Sequence, residues 1–117
     1  MERILLVEHN RLFGEGLALL LEWRTGLSSV HASSLAEAKA NLENADHKPA
    51  CVVVDLDLPE GEGTEVLEEL KGLPVLALIG RRNVKCQAEA MELGADEVLP
   101  TGALEKISSA VERLAGR

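Results

Sequence analysis

Two acidic residues stand where short aliphatic runs end. Glu8 follows Ile4-Leu5-Leu6-Val7, and Asp55 follows Cys51-Val52-Val53-Val54, with Asp57 two residues further on. Carboxylates gathered beside backbone carbonyls suit a hard, octahedral cation such as Mg²⁺, which prefers oxygen and keeps several waters. A carboxylate next to such a cation can also attack a phosphoryl group and form an aspartyl phosphate. Acids after strands also cap helices or sit in solvated loops, and spacing alone leaves these readings open. No nucleophile elbow, Walker-type loop or dinucleotide-binding glycine fingerprint accompanies them, so an independent enzyme is not expected. Cys51 and Cys86 lack CxxC spacing and read as free thiols of a reducing compartment. His31 has no partner by sequence and is expected at the surface. His47 reads as part of a loop before the third aliphatic run, and neither histidine supports a metal site with Cys51.

The elements that must position these acids alternate along the chain. Strands are expected at Ile4–Val7, Ser28–Ala32, Cys51–Val54, Val75–Ile79 and Glu97–Leu99. The most apolar of them are continuous runs, as in a parallel sheet buried on both faces. Between them lie helical patterns. Leu12–Arg24 carries Phe13, Leu17, Leu20 and Leu21 on one side, and Ser34-Leu35-Ala36-Glu37 reads as a capping box opening a helix to about Asn44. Thr64–Lys71 is closed by Gly72 and Pro74, Asn83–Leu93 by Gly94, and Leu104–Leu114 comes last. Such alternation predicts one doubly wound α/β domain over residues 1–117, a flavodoxin-like sheet of five parallel strands in the order 2-1-3-4-5. Ligands of such sheets bind beyond the carboxyl ends of the strands, where the strand order reverses. Here that place lies between the first and third strands, where Glu8 and Asp55 stand.

Composition narrows the choices. The 117 residues include 12 Lys+Arg against 20 Asp+Glu, a net charge of −8, which opposes the counterion-release binding of nucleic acid. With one Trp, one Phe and no Tyr there is no stacking platform for single strands, and the core must be aliphatic. The longest aliphatic stretch, Leu17–Leu21, is far short of a membrane span, and no basic leader precedes it. A soluble, cytoplasmic chain is expected. Val84, Ala88 and Met91 form one stripe of the fourth helix and Cys86, Ala90 and Leu93 a second, so one stripe is spare unless both serve a broad core face. Leu12, Leu19 and Trp23 give the first helix a similar stripe, with Trp23 expected to be partly buried.

These residues carry a resemblance. Over essentially its whole length the chain resembles the receiver domain of bacterial two-component response regulators. Ile4–Glu8 followed by Leu12-Phe13-Gly14-Glu15-Gly16-Leu17 is similar to the nitrate-response and LuxR-type branch. Val52–Gly63 resembles the segment around the phosphorylated aspartate, with Pro59 and Gly63 as its usual companions. Gly94–Pro100 resembles the approach to the last strand. The resemblance implies Asp55 as phosphoacceptor, with Mg²⁺ held by Glu8, Asp55 and the backbone carbonyl of Asp57. It also implies a histidine kinase or other signalling protein as partner. A homodimer or partner face would lie on the fourth helix, fifth strand and fifth helix. Family members often continue into a linker and a DNA-binding helix-turn-helix.

The remaining site positions depart from the family. His9 stands for the second acid of the opening pair, and Ile79 for the Ser/Thr that contacts the phosphoryl group. Thr101 replaces the lysine and Val98 the aromatic switch residue. Catalysis of phosphoryl transfer is mostly electrostatic positioning, so these losses predict very slow transfer and a weakened Mg²⁺ site, a pseudo-receiver working by protein–protein contact. Glu8 and Asp55 would otherwise repel each other, so His9, Arg81 or Arg82 is expected to turn inward as a built-in cation. The rivals are a working receiver phosphorylated on Asp55 in a Mg²⁺-dependent reaction, and a small α/β ligand-binding or enzyme domain using the acidic crevice.

Overall fold

The computed structural model of the chain describes residues 3–44, 48–57, 64–80 and 86–116. Strands and helices alternate in it: β1 (Arg3–Val7), α1 (Arg11–Thr25), β2 (Ser28–Ala32), α2 (Leu35–Asn44), β3 (Cys51–Asp55), α3 (Thr64–Glu69), β4 (Val75–Ile79), α4 (Cys86–Glu92), β5 (Glu97–Pro100) and α5 (Leu104–Leu114). The strands pair in parallel in the expected order, β2-β1-β3-β4-β5.

The central strands are apolar on both faces because successive side chains point to opposite sides of a strand. Ile4, Leu6, Cys51 and Val53 pack with Leu17 and Leu21 of α1 and Ile107 of α5. Leu5, Val7, Val52 and Val54 pack with Ala38 of α2, Leu67 of α3 and Ala90 of α4.

Local chemistry sets the helix ends. The Asn10 side chain accepts the Phe13 amide at 3.0 Å, so α1 starts one residue before the expected Leu12. Gly26, at φ 75°, ends it in the left-handed conformation that glycine adopts without a Cβ penalty. Ser34 Oγ caps α2 through the Glu37 amide at 3.1 Å, whereas the Glu37 carboxylate reaches back to the amide of Ser33 rather than of Ser34.

Two expectations about helix surfaces need correction or completion. Trp23 is 80 % exposed, together with Leu12 and Leu19. The buried side of α1 runs through Gly14, Leu17, Leu21 and Thr25, and at 3.6 residues per turn Trp23 falls outside it. In α4, Ala90 is buried and Leu93 packs behind it, while Met91 faces outward. The core stripe is therefore the one carrying Ala90 and Leu93. Val84, His47 and residues 58–63 lie outside the described residues.

Cys51 is buried in the face shared with α1 and α5, and burial pushes its thiol up to about 12. In a Cys86→Ser background, the native chain is expected to react with a colorimetric disulfide reagent at least ~10³-fold more slowly than the unfolded chain. The thiolate fraction falls tenfold with each unit of raised pKa. Equal rates would place Cys51 outside the packing seen here.

Candidate functional site

Register brings the two acids together. Ile4 lies opposite Cys51 and Val7 opposite Val54, and continuing that ladder by one residue sets Glu8 beside Asp55 on one face of the sheet. The Glu8 amide donates to the Ala32 carbonyl at 3.0 Å, so β1 stays tied to β2 up to the acid. Both carboxylates are buried, Glu8 to 2 % and Asp55 to 5 % exposure. They stand at the carboxyl ends of β1 and β3, where the strand order reverses.

Backbone amides orient the carboxylates. Glu8 Oε1 accepts the Asn10 amide at 3.0 Å, and Asp55 Oδ1 accepts the Asp57 amide at 2.9 Å. Glu8 Oε2 is buried without a hydrogen-bond partner. Burial, and then the neighbouring Asp55 carboxyl, push Glu8 from its ordinary 4.5 up to about 8, with the Asn10 amide offsetting part of the rise. The Asp57 carboxylate turns away to accept the Gly80 amide at 3.2 Å, linking the ends of β3 and β4. Glycine permits that approach, since a Cβ on residue 80 would lie 2.6 Å from Asp57 Oδ2.

His9 closes the cluster. Its Nδ1 lies 3.5 Å from Glu8 Oε1 and 3.7 Å from Asp55 Oδ2, while the side chain keeps 42 % of its surface exposed. Of the three cations considered from sequence, His9 is the one within the described residues, and it faces Asp55; Arg81 and Arg82 lie outside them. A ligand atom from each of Glu8, His9 and Asp55 falls within 4.8 Å of the others. The two carboxylates, side by side at the strand ends, fit a divalent cation. The Asp57 carbonyl would add a further oxygen. His9 brings nitrogen where a hard cation such as Mg²⁺ takes oxygen.

At Ile79, Val98 and Thr101 the side chains offer no cation. Ile79 is 6 % exposed and shares one apolar cluster with Val98. The Thr101 amide donates to the Ile79 carbonyl at 3.0 Å, holding β5 against β4 with a short side chain at the strand end.

The structure corrects the expectation for His31. It is half-buried on β2, and its Nε2 lies 2.6 Å from the Glu8 carbonyl oxygen. A carbonyl only accepts, so Nε2 carries the proton and donates. His31 thus holds the backbone immediately before His9. A glycine inside a helix costs about 1 kcal/mol relative to alanine, so Gly14 within α1 was the available signal for a close neighbour. A Cβ there would clash with the His31 imidazole. Gly14→Ala is therefore expected to destabilise the fold by ~1–3 kcal/mol. In a His31→Ala background the same change is expected to stabilise by about 1 kcal/mol through helix propensity. Urea denaturation of the four proteins reads both signs; the same sign in both backgrounds would refute the contact.

A parallel five-stranded sheet ordered 2-1-3-4-5, with acids at its reversal point, defines a doubly wound domain of the receiver type. Residues 4–112 match the response regulator receiver domain family, and the chain belongs to it. It is 30 % identical over 101 residues to the transcriptional regulatory protein VxrB of Vibrio cholerae, covering 84 % of this chain and 39 % of that one. It is 32 % identical over 120 residues to the response regulator MprA of Mycobacterium tuberculosis, covering 98 % of this chain and 51 % of MprA. The chain thus spans about half or less of these relatives. A response regulator receiver domain from Clostridium thermocellum superposes with a TM-score of 0.89 at 24 % identity, covering 100 % of this chain and 96 % of the other. Among the described residues, no helix is long and apolar enough to cross a membrane.

Proposed function

We propose that this chain is a pseudo-receiver of a two-component phosphorelay, impaired in transfer to Asp55 and signalling through protein–protein contacts. The observation that carries this reading is the place of His9, within 3.7 Å of both carboxylates. When protonated, its imidazolium stands beside Asp55 as an internal cation. Ile79 and Thr101 support the same reading, since one offers no donor and the other no positive charge to developing phosphoryl oxygens. The partner would be a histidine kinase or another signalling protein in the cytoplasm, with no nucleic acid bound by this acidic segment. The resemblance points to α4, β5 and α5 as the contact or homodimer face, on which Met91 and Leu104 are exposed.

One observation favours a working receiver instead: Asp55 is retained at the carboxyl end of β3, beside Glu8. Such a receiver would take the phosphoryl group on Asp55 with a weakened Mg²⁺ site. Intact mass after incubation with acetyl phosphate and Mg²⁺, run beside Asp55→Asn, separates the two. An adduct on the native chain alone supports the working receiver, and no adduct supports the pseudo-receiver.

A further inference from the structure

Beside the two carboxylates stands a nitrogen donor, and the three together have a spacing of their own. We propose that Glu8, His9 and Asp55 form a site for a divalent transition metal that accepts imidazole, of the Zn²⁺ class, in preference to Mg²⁺. This inference holds whether or not Asp55 accepts a phosphoryl group.

The geometry is the first support. Zinc binds nitrogen and carboxylate oxygen at about 2.0–2.2 Å, which puts neighbouring donors of a tetrahedral site about 3.4 Å apart. His9 Nδ1 lies 3.5 Å from Glu8 Oε1 and 3.7 Å from Asp55 Oδ2, so these two edges close with shifts of a few tenths of an ångström. Mg²⁺ asks for near-ideal octahedral oxygen at about 2.0–2.1 Å, with donor edges near 3.0 Å, and gains little from imidazole.

Independent support comes from a donor the fold leaves unanswered. Glu8 is 2 % exposed, and apart from the Asp55 carboxyl beside it no group of the fold answers its Oε2. Its Oε1 is held by the Asn10 amide and Asp55 Oδ1 by the Asp57 amide. These second-layer bonds hold the ligands in place. The half-exposed His9 leaves a path from solvent and a face on which water completes the coordination. His31 holds the Glu8 carbonyl, one peptide unit before His9.

The test titrates Zn²⁺ and Mg²⁺ separately into chelator-treated chain by calorimetry. Visible absorption of bound Co²⁺ serves as a probe of the ligand atoms. The native chain is expected to bind one Zn²⁺ more tightly than Mg²⁺, with a Co²⁺ spectrum of nitrogen and oxygen ligation. His9→Ala and His9→Asp are each expected to weaken Zn²⁺ at least ~10-fold, and His9→Asp to tighten Mg²⁺. The native chain suffices by itself: tighter Mg²⁺ binding, or no Zn²⁺ binding, overturns the proposal. So does Zn²⁺ affinity unchanged in His9→Ala, or a thiolate band showing that cysteine holds the metal.

Discussion

A variant carrying His9→Asp, Ile79→Thr and Thr101→Lys together is expected to be labelled by acetyl phosphate and Mg²⁺ at least ~10²-fold faster than the native chain. Removing a single donor aimed at developing charge costs about 10²–10³ in rate, and such losses are not additive. His9→Asp puts an oxygen where the resemblance implies a Mg²⁺ ligand and removes the imidazole beside Asp55. Thr101→Lys supplies a cation from the end of β5. Ile79→Thr supplies a hydroxyl at the end of β4, at a position 6 % exposed, so it also costs packing. Far-UV circular dichroism of the triple variant guards against reading misfolding as inactivity. Adding Asp55→Asn should abolish the labelling. A native chain labelled as fast as the triple variant would end the pseudo-receiver reading.

The second large effect concerns stability against pH. Glu8 ionises near 4.5 in the unfolded chain but is held protonated up to about 8 in the fold. Between those values the folded chain binds more protons than the unfolded one, so stability falls as pH rises through the window. The fold keeps this contribution in full below 4.5 and has lost it above about 8. At ~1.4 kcal/mol per unit the loss has a ceiling of about 5 kcal/mol, and sharing of the proton with Asp55 lowers it. Gln has the shape of the protonated acid and does not titrate. Glu8→Gln is therefore expected to match the native chain at pH 5 and to exceed it in stability at pH 8.5. Urea denaturation with a chelator present, followed by circular dichroism, measures the difference. Trp23, 80 % exposed on α1, is a poor optical reporter of this site. Parallel stability curves for the two proteins would show that Glu8 ionises normally in the fold.

The two expectations draw on different depths of information. That His9, Ile79 and Thr101 differ from the residues the resemblance implies is read residue by residue along the chain. That Glu8 holds a proton depends on burial and on Asp55, which lies far away in sequence. The metal inference sits between them, because the residue types are legible but the 3.5 and 3.7 Å approaches of His9 are not.

By itself the sequence determined the order of elements, the parallel sheet and the place where the acids meet. Aliphatic runs buried on both faces and amphipathic helices between them leave few ways to hide their apolar surfaces. The same two-residue periodicity that packs Ile4 and Leu6 with Cys51 and Val53 carries Glu8 and Asp55 to one face, and it acts along each strand. Only the tertiary structure decided that His31 is half-buried against Gly14, that Asp57 reaches Gly80, and that Trp23 stands in solvent. Those outcomes depend on which side chain from a distant element arrives at a given atom. His31 reaches the Glu8 carbonyl across 23 positions of chain, and no local period records that meeting. Packing between β1, β2 and α1 sets it, because the room left by a missing Cβ on Gly14 is the room the imidazole fills.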